Sequence, residues 1–301
     1  MVRSRLAPTP SGYLHLGNAW NFGLTWLLTR RAGGRLRLRI DDLDAPRVRP
    51  EYLEDIFRTL EWLGLDWDEG PGGPEDHRRH FSQQNRHARY RELLQALGPR
   101  LFACRCSRRE IQAASRDGQY PGTCRELGLP LGGPGTALRV RTEAVTITWD
   151  DGWLGPQAVA LEASMRDPVL WRKDDIPAYQ IATLADDLDH GINLVVRGAD
   201  LLDSTAIQRW LAREIGAGRF LEAQFFHHPL LKGPDGAKLS KSAGSYSLQA
   251  WRAEGRTAAE VWQQLARALG WAGPVGSLQD LLAAPIALPP AGDHAHWPGG
   301  A

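Results

Sequence analysis

Residues 2–31 read VRSRLAPTPSGYLHLGNAWNFGLTWLLTRR, and this stretch decides the fold. Residues 2–8 form a short apolar-basic run with strand character, residues 9–18 supply the Pro, Ser and Gly of a loop, and from Ala19 onward apolar side chains recur at helical spacing. A strand, a glycine loop and a helix in that order leave free backbone N–H groups at the helix start, where the helix dipole also favours an anion such as a nucleotide phosphate. Gly12 and Gly17 permit close backbone approach, and His15 is placed to hydrogen-bond a phosphate in a transition state. Taken alone, the loop reads rather as an ordinary turn carrying a surface histidine.

Working outward, RLRLRIDDLD at residues 35–44 alternates Leu36, Leu38 and Ile40 with Arg35, Arg37 and Arg39, which predicts a second strand. Residues 51–65 repeat Leu53, Ile56, Leu60 and Leu63 at helical spacing behind an acidic first turn, with Gly64 as the stop. Residues 192–196 and 204–215 give another strand and helix joined through a Gly turn. Helical crossovers between strands imply an α/β fold with a parallel sheet. Residues 77–97 predict one basic amphipathic helix with Tyr90, Leu93, Leu94 and Leu97 on its buried face, and residues 136–151 read as a hairpin. Beyond Trp271 the chain is rich in Pro, Gly and Ala, so at most one small helix is expected before a frayed end.

The 301 residues balance 36 Lys+Arg against 35 Asp+Glu, a formal net charge of +1, so any nucleic-acid footprint must be local. With 43% hydrophobic residues and 12 Trp, the chain can bury a sizeable core and is not disordered. Trp62, Trp210 and Trp262 fall at helical spacing and read as core. No apolar run approaches the length of a membrane span and the first residues form no secretory signal, so a soluble, cytoplasmic protein is expected. Cys104, Cys106 and Cys124 are the three cysteines; an odd cluster argues against a disulfide framework and leaves metal binding open. His190, His227, His228 and the HAHW string at 294–297 read as core or surface histidines rather than ligands.

Residues 233–247, GPDGAKLSKSAGSYS, place Lys238 and Lys241 with Ser240 and Ser242 in a Gly-flanked segment where two ammonium groups could neutralise a departing polyphosphate. The pair HLGN at 15–18 and KLSKS at 238–242 resembles the two signatures of class I aminoacyl-tRNA synthetases, usually summarised as HIGH and KMSKS. RLAPTPSGYLHLGN at 5–18, RIDDLD at 39–44 and VVRGADLLDST at 195–205 are similar to the matching segments of the glutamyl branch, over roughly residues 3–250.

This resemblance implies a Rossmann-like, parallel-sheet catalytic domain with a small zinc-binding insertion. Residues 1–100 and 136–250 would be its two halves, 101–135 the insertion and 251–301 a short helical and flexible tail. It implies ATP with Mg²⁺ as substrate complex, bound by His15, Gly17, Asn18 and Lys241, with His15, Lys238 and Lys241 as the catalytic groups. Asn18 stands where the family often has His and reads as a helix cap or ribose contact. Arg5, Ala7, Pro8, Thr9, Tyr179 and Arg197 would contact L-glutamate, and Asp41 its ammonium. The family usually has Glu at that place, so the contact could run through water or a shifted backbone. Arginine forks suit a carboxylate.

Cys104, Cys106, Tyr120 and Cys124 match a structural zinc site, one Zn²⁺ per chain; water, a nearby His, or a metal-free cluster remain open beside Tyr120 as fourth ligand. Glutamyl-tRNA synthetases carry a long anticodon-binding region after the lysine segment, whereas 59 residues follow Ser242 here. That points to the shortened members of the branch, which place glutamate on the queuosine base at the wobble position of tRNA(Asp); a monomer is expected. The alternatives are a minimal synthetase charging a tRNA 3′ end and a non-catalytic paralogue that binds tRNA or glutamate. RNA would be held by Arg78, Arg79, Arg86, Arg89 and Arg91. A dinucleotide-dependent dehydrogenase is disfavoured, because no GxGxxG follows the first strand.

Overall fold

The computed structural model describes residues 1–115, 118–230 and 247–286. Lys238, Ser240, Lys241 and Ser242 therefore lie outside the described residues. Among them the first strand, β1 (Arg3–Leu6), leads through the Pro/Gly/Ser loop into α1 (Leu16–Arg31), and β2 (Arg35–Leu38) returns parallel to β1 with Arg3 opposite Arg35. α2 (Pro50–Trp62) follows, with Pro at its first turn, where the missing N–H costs nothing. α3 (Pro74–Asp76) runs into a π-helical turn (His77–Phe81) and a 3₁₀ turn (Gln83–Arg86) before α4 (His87–Gln95).

The single helix expected over residues 77–97 is thus broken at Ser82, whose φ of −59° and ψ of 134° are not helical. The buried Asp42 explains the break. Its carboxylate accepts from Ser82 Oγ at 2.6 Å and from the Gln83 N–H at 2.8 Å, offering the backbone a partner that a continuous helix would forgo.

β3 (Leu101–Cys104) opens the cysteine-bearing segment, and α5 (Arg108–Ala114) follows behind a Ser107–Glu110 capping box. β4 (Ala137–Val140) pairs antiparallel with β3 and with β7 (Val169–Trp171). β5 (Thr146–Asp151) pairs instead with β6 (Gly155–Ala160), and α6 (Leu161–Ser164) ends that unit. Residues 136–151 are therefore not a hairpin. Their two strands belong to different sheets, and Asp167 pins the crossing by accepting from the Thr142 N–H at 2.8 Å.

The second strand–loop–helix comprises α7 (Tyr179–Asp189), β8 (Leu194–Gly198) and α8 (Leu202–Glu214), after which α9 (Gly218–Leu221) leads to β9 (Gln224–His228). β8 and β9 are parallel, and β9 meets β5 in parallel. β8 also lies beside β1: the Asn193 N–H donates to Arg3 O at 3.0 Å and Ser4 Oγ to Leu194 O at 2.8 Å. The β1–β2 pair and the β8–β9 pair thereby lie side by side as neighbouring sheets.

One apolar core lies between α1, α2, β1, β2 and three helices from the chain's end, α10 (Leu248–Ala253), α11 (Ala258–Ala268) and α12 (Leu278–Ala283). The other gathers α4, α7, α8, β5 and β9 around Trp210. Trp210 and Trp262 are buried, as their spacing suggested, whereas Trp62 is only partly so. Trp262 lies on Gly23 of α1, where an added Cβ would come within 2.6 Å of the indole, and its Nε1 donates to Leu63 O at 3.0 Å. Arg31 closes the same face by donating to the carbonyls of Ala284 and Ile286. Truncating Trp262→Ala is expected to lower unfolding free energy by about 3–5 kcal/mol in urea melts, as for other buried indoles; an effect below about 1 kcal/mol would mean that residues beyond 250 do not belong to this core.

Candidate active site and metal centre

The loop between β1 and α1 is shaped by its own residues. His15 is the N-cap of α1, and Asn18 Oδ1 accepts from the His15 N–H at 3.0 Å, so Asn18 closes a capping box. The imidazole lies over Gly17, where a Cβ would sit 3.0 Å from His15 Cε1. A side chain there would press on the ring, so glycine gives it the most room against the helix start.

Two further contacts place the ends of the lysine-bearing segment. Ser247 bridges antiparallel to His15, with the Leu248 N–H donating to Leu14 O at 2.8 Å. On the other side, Asn21 Nδ2 contacts Val196 O at 3.3 Å and His228 Nε2 at 3.1 Å.

At the carboxyl end of β1 lies a network of buried charge. Arg5 Nε donates to Asp187 Oδ1 at 3.2 Å, and Arg39 Nη1 to the same oxygen at 2.6 Å. Arg39 also grips Asp41 at 2.6 and 3.2 Å, as a two-pronged fork. Gln83 Nε2 bridges Asp186 at 2.7 Å and Asp41 at 3.3 Å. Burial pushes the Asp187 carboxyl up, but Arg5, Arg39 and Arg197 outweigh it and hold the group below the ordinary range. Asp41 goes the other way: burial outweighs the neighbouring Arg39 and raises its pKa. A cation arriving beside Asp41 would reverse that shift.

Arg197, at 4% exposure, is held by neutral groups. It donates to Gln208 Oε1 at 3.0 Å from both terminal nitrogens, to Thr205 Oγ1 at 2.5 Å, and to Tyr179 OH at 3.4 Å. Among the described residues it forms no ion pair, and burial lowers its pKa. Behind it, His227 Nε2 faces Thr205 at 2.7 Å and Arg197 Nε at 3.4 Å, while Nδ1 meets Asp151 Oδ2 at 2.5 Å. Since Arg Nε can only donate, Nε2 accepts and the proton sits on Nδ1. A buried guanidinium that no carboxylate pairs directly favours an anionic ligand.

Of the sequence-predicted residues, Arg5 and Asp41 thus share one network with Arg39 and Asp187, and Arg197 and Tyr179 adjoin it. Pro8 O accepts the Asp41 N–H at 2.8 Å, fixing the loop that carries Ala7 and Thr9 against the strand end, with Thr9 exposed. Reading the sequence missed Arg39, Gln83, Asp151, Asp186, Asp187, Thr205, Gln208 and His227. The adjacent acids in LADDLDH were the one available signal, because neighbouring carboxylates on a helix that must face a sheet require cations there. The arginines proposed to hold RNA are each paired within the chain. Arg86 and Arg89 are engaged by Asp186 and Asp189 at 2.7–2.8 Å, Arg91 by Asp175, and Arg78 and Arg79 by Glu75.

The Sγ atoms of Cys104, Cys106 and Cys124 lie within 4.8 Å of one another, close enough to share a metal ion. Cys106 and Cys124 are 3.5 Å apart. Tyr120 OH accepts the Cys124 N–H at 2.7 Å and also touches Cys104. Burial and then Cys124 push the Cys106 thiol up to about 12. Gathering three sulfurs is unfavourable for thiolates alone and favourable once a soft divalent cation shares them, so the donor set fits a metal.

A parallel sheet with a glycine loop and helix start at its carboxyl edge is the architecture of a nucleotide-binding catalytic domain. Residues 1–275 match the family described as tRNA synthetases class I (E and Q), catalytic domain, and the chain belongs to this family of ligases. It is 41% identical over 285 residues to a glutamyl-Q tRNA(Asp) synthetase of Nitratidesulfovibrio vulgaris, covering 90% of this chain and 87% of the relative. To the protein of the same name from Symbiobacterium thermophilum it is 43% identical, with 88% and 86% covered. The crystal structure of glutamate-tRNA synthetase from Elizabethkingia anophelis matches with a TM-score of 0.77 at 26% identity, over 93% of this chain and 65% of that one. The present chain thus spans about two thirds of that structure's length. No helix among the described residues is long and apolar enough to cross a membrane.

Behind the network, His190 lines a cavity of about 170 Å³ with Arg37, Arg39, Gln83 and Arg86. Burial, then Arg37, holds its pKa down to about 4. The unfolded chain, with His near 6.5, takes up a proton that the folded chain refuses, so stability falls as pH drops from about 6.5 to about 4. Burial pushes His87, His227 and His228 the same way. Replacing His190→Asn should flatten the pH dependence of urea unfolding in this window by at most about 1.4 kcal/mol per pH unit; an unchanged slope would show that the native ring is protonated.

Proposed function

We propose that this chain activates L-glutamate with ATP and places it on the queuosine base at the wobble position of tRNA(Asp). The acceptor reading is carried by the 41% and 43% identity to two relatives of that name over most of their length. The amino-acid reading draws its physical support from Arg197, a buried cation served by neutral acceptors, beside Arg5 and Asp41. Glutamate offers two carboxylates and one ammonium. Arg197 and Arg5 pair with carboxylate, Tyr179 adds a hydroxyl, and Asp41 takes the ammonium, whose approach draws its raised pKa back down. With Asp in place of the family's usual Glu, the fork from Arg39 holds the shorter carboxylate at the network's edge.

In the first step an oxygen of glutamate's α-carboxylate attacks the α-phosphorus of ATP, the bond to the bridging oxygen breaks, and pyrophosphate leaves with Mg²⁺. His15, held against Gly17 at the start of α1, and the helix's free N–H groups stabilise the phosphate, with Asn18 fixing the cap. Lys238 and Lys241 neutralise the leaving group. In the second step a hydroxyl of the queuosine cyclopentenediol attacks the acyl carbon of the mixed anhydride. AMP departs and the hydroxyl proton passes to solvent, a transfer that needs positioning more than a strong base.

Labelled glutamate, with ATP and Mg²⁺, is expected to label a tRNA pool containing queuosine and to leave a matched pool without it unlabelled. Equal labelling of both would favour charging of the 3′ end, and no label on either would favour a non-catalytic binding protein.

The three cysteines, with Tyr120 as fourth ligand, hold one structural Zn²⁺, which ties β3 to the loop before Arg125. Metal analysis of the purified chain is expected to give about one zinc per chain, lost in Cys104→Ser; zinc retained in that variant would place the metal elsewhere.

A further inference from the structure

A second basic site lies on the cysteine-bearing segment. A cavity of about 330 Å³ beside α5 and β4 is lined by Arg108, Gln112, Gln119, Tyr120, Arg139 and Arg166, with Ile111 and Gly118 completing its wall. At two other cavities several guanidinium groups are neutralised, Arg3 and Arg37 by Glu69 and Arg86 by Asp186, although Arg219 at one of them forms no ion pair among the described residues. Arg108, Arg139 and Arg166 form no ion pair among the described residues. Arg139 faces the Cys104 sulfur, but Arg108 and Arg166 have no counter-charge among the described residues, and guanidinium groups gathered on one small cavity repel one another unless an anion joins them.

The site is built rather than a chance patch. Arg139 is 7% exposed and lies flat over Tyr120, its Cζ 3.9 Å from the ring centroid, with Nη1 donating to Asp167 O at 2.6 Å. Its Nε is buried and without a hydrogen-bond partner among the described residues, and so is the Nε of Arg166. The Arg166 backbone is fixed in turn by Gln119, which accepts its N–H at 3.4 Å and donates to Ser164 O at 2.9 Å. Arg108 and Gln112 are exposed at the rim. The ligand that fits this donor set is a phosphate, whose oxygens match arginine forks.

We propose that this pocket binds a backbone phosphodiester of the RNA substrate. Its rim is open to a polymer, and its lining is mostly donors; Tyr120, 3% exposed and faced by Arg139, offers no ring face on which a base could stack. Such a contact positions RNA without reading its sequence. The inference rests on the proposed tRNA substrate, but on neither the queuosine acceptor nor the glutamate pocket.

The test uses the double variant Arg108→Ala, Arg166→Ala of the full chain, sparing Arg139 because it touches Cys104. Binding is measured to tRNA(Asp) lacking queuosine, so that the result does not depend on the acceptor. Relative to the unsubstituted chain, affinity is expected to fall about tenfold and the slope of log K against log salt to shrink by roughly 0.7–0.9 for each phosphate released. Glutamate-dependent ATP–pyrophosphate exchange and metal content should stay unchanged, which shows that the variant is folded, and Arg166→Lys should restore part of the salt slope. Unchanged tRNA affinity and slope in the folded variant would overturn the proposal while leaving the proposed reaction standing. So would inorganic phosphate binding that the double variant abolishes without any change in tRNA affinity, since the pocket would then serve a free phosphate. If the unsubstituted chain binds no tRNA, both readings fall, and the labelling experiment distinguishes that case.

Discussion

The carboxylate of Asp187 is the constraint on which the site depends. Arg5 comes from β1, Arg39 from just beyond β2, and Asp187 from α7, so one buried oxygen, accepting at 3.2 and 2.6 Å, joins three elements from both halves of the chain. None of the three residues is more than 5% exposed. Buried charges of this kind are tolerated only when each has its partner, and losing one member leaves the others uncompensated at a cost of about 3–5 kcal/mol. The geometry that fixes the guanidinium of Arg5 is therefore also what makes β1, β2 and α7 pack in one way.

Asp186, the next residue of α7, extends the same logic outward. It accepts from Gln83, Arg86 and Tyr90, and so draws α4 and the turn before it against α7. Asp42 breaks the helix at Ser82 and thereby delivers Gln83 to Asp41 and Asp186. Adjacent acids in two short strings, DD at 41–42 and DD at 186–187, thus do four separate tasks. Each carboxylate has a different set of donors, which is why the pKa of Asp41 rises while that of Asp187 falls.

Local patterns in the sequence were sufficient for β1, the glycine loop, α1 and β2, because alternation and helical spacing act over a few residues. Long-range partners were not legible. Residues 136–151 alternate like a hairpin, yet their strands pair with β3 and β7 on one side and β6 and β9 on the other, a choice set by tertiary contacts such as that of Asp167 with Thr142. The periodicity of 77–97 gave no sign of Asp42 competing for its backbone. At the site, Arg5, Asp41, Tyr179 and Arg197 could be named from matching strings. The groups behind them could not: His227 looked like any core histidine until Asp151 and Thr205, distant in sequence, were seen to lock its tautomer.

That lock bears on how the two halves cooperate. Arg197 ends β8 and His227 ends β9, while the next residue, His228, reaches Asn21 in the second turn of α1. Asn21 touches Val196 as well, so the helix that begins at His15 is held to the strands that carry the buried arginine. The stretch 231–246 starts beyond this contact and ends at Ser247, which bridges to His15 itself. Both of its ends are thus fixed beside α1, one at the second turn and one at the cap. The described residues on either side of Lys238 and Lys241 are thereby held beside the start of α1, next to His15.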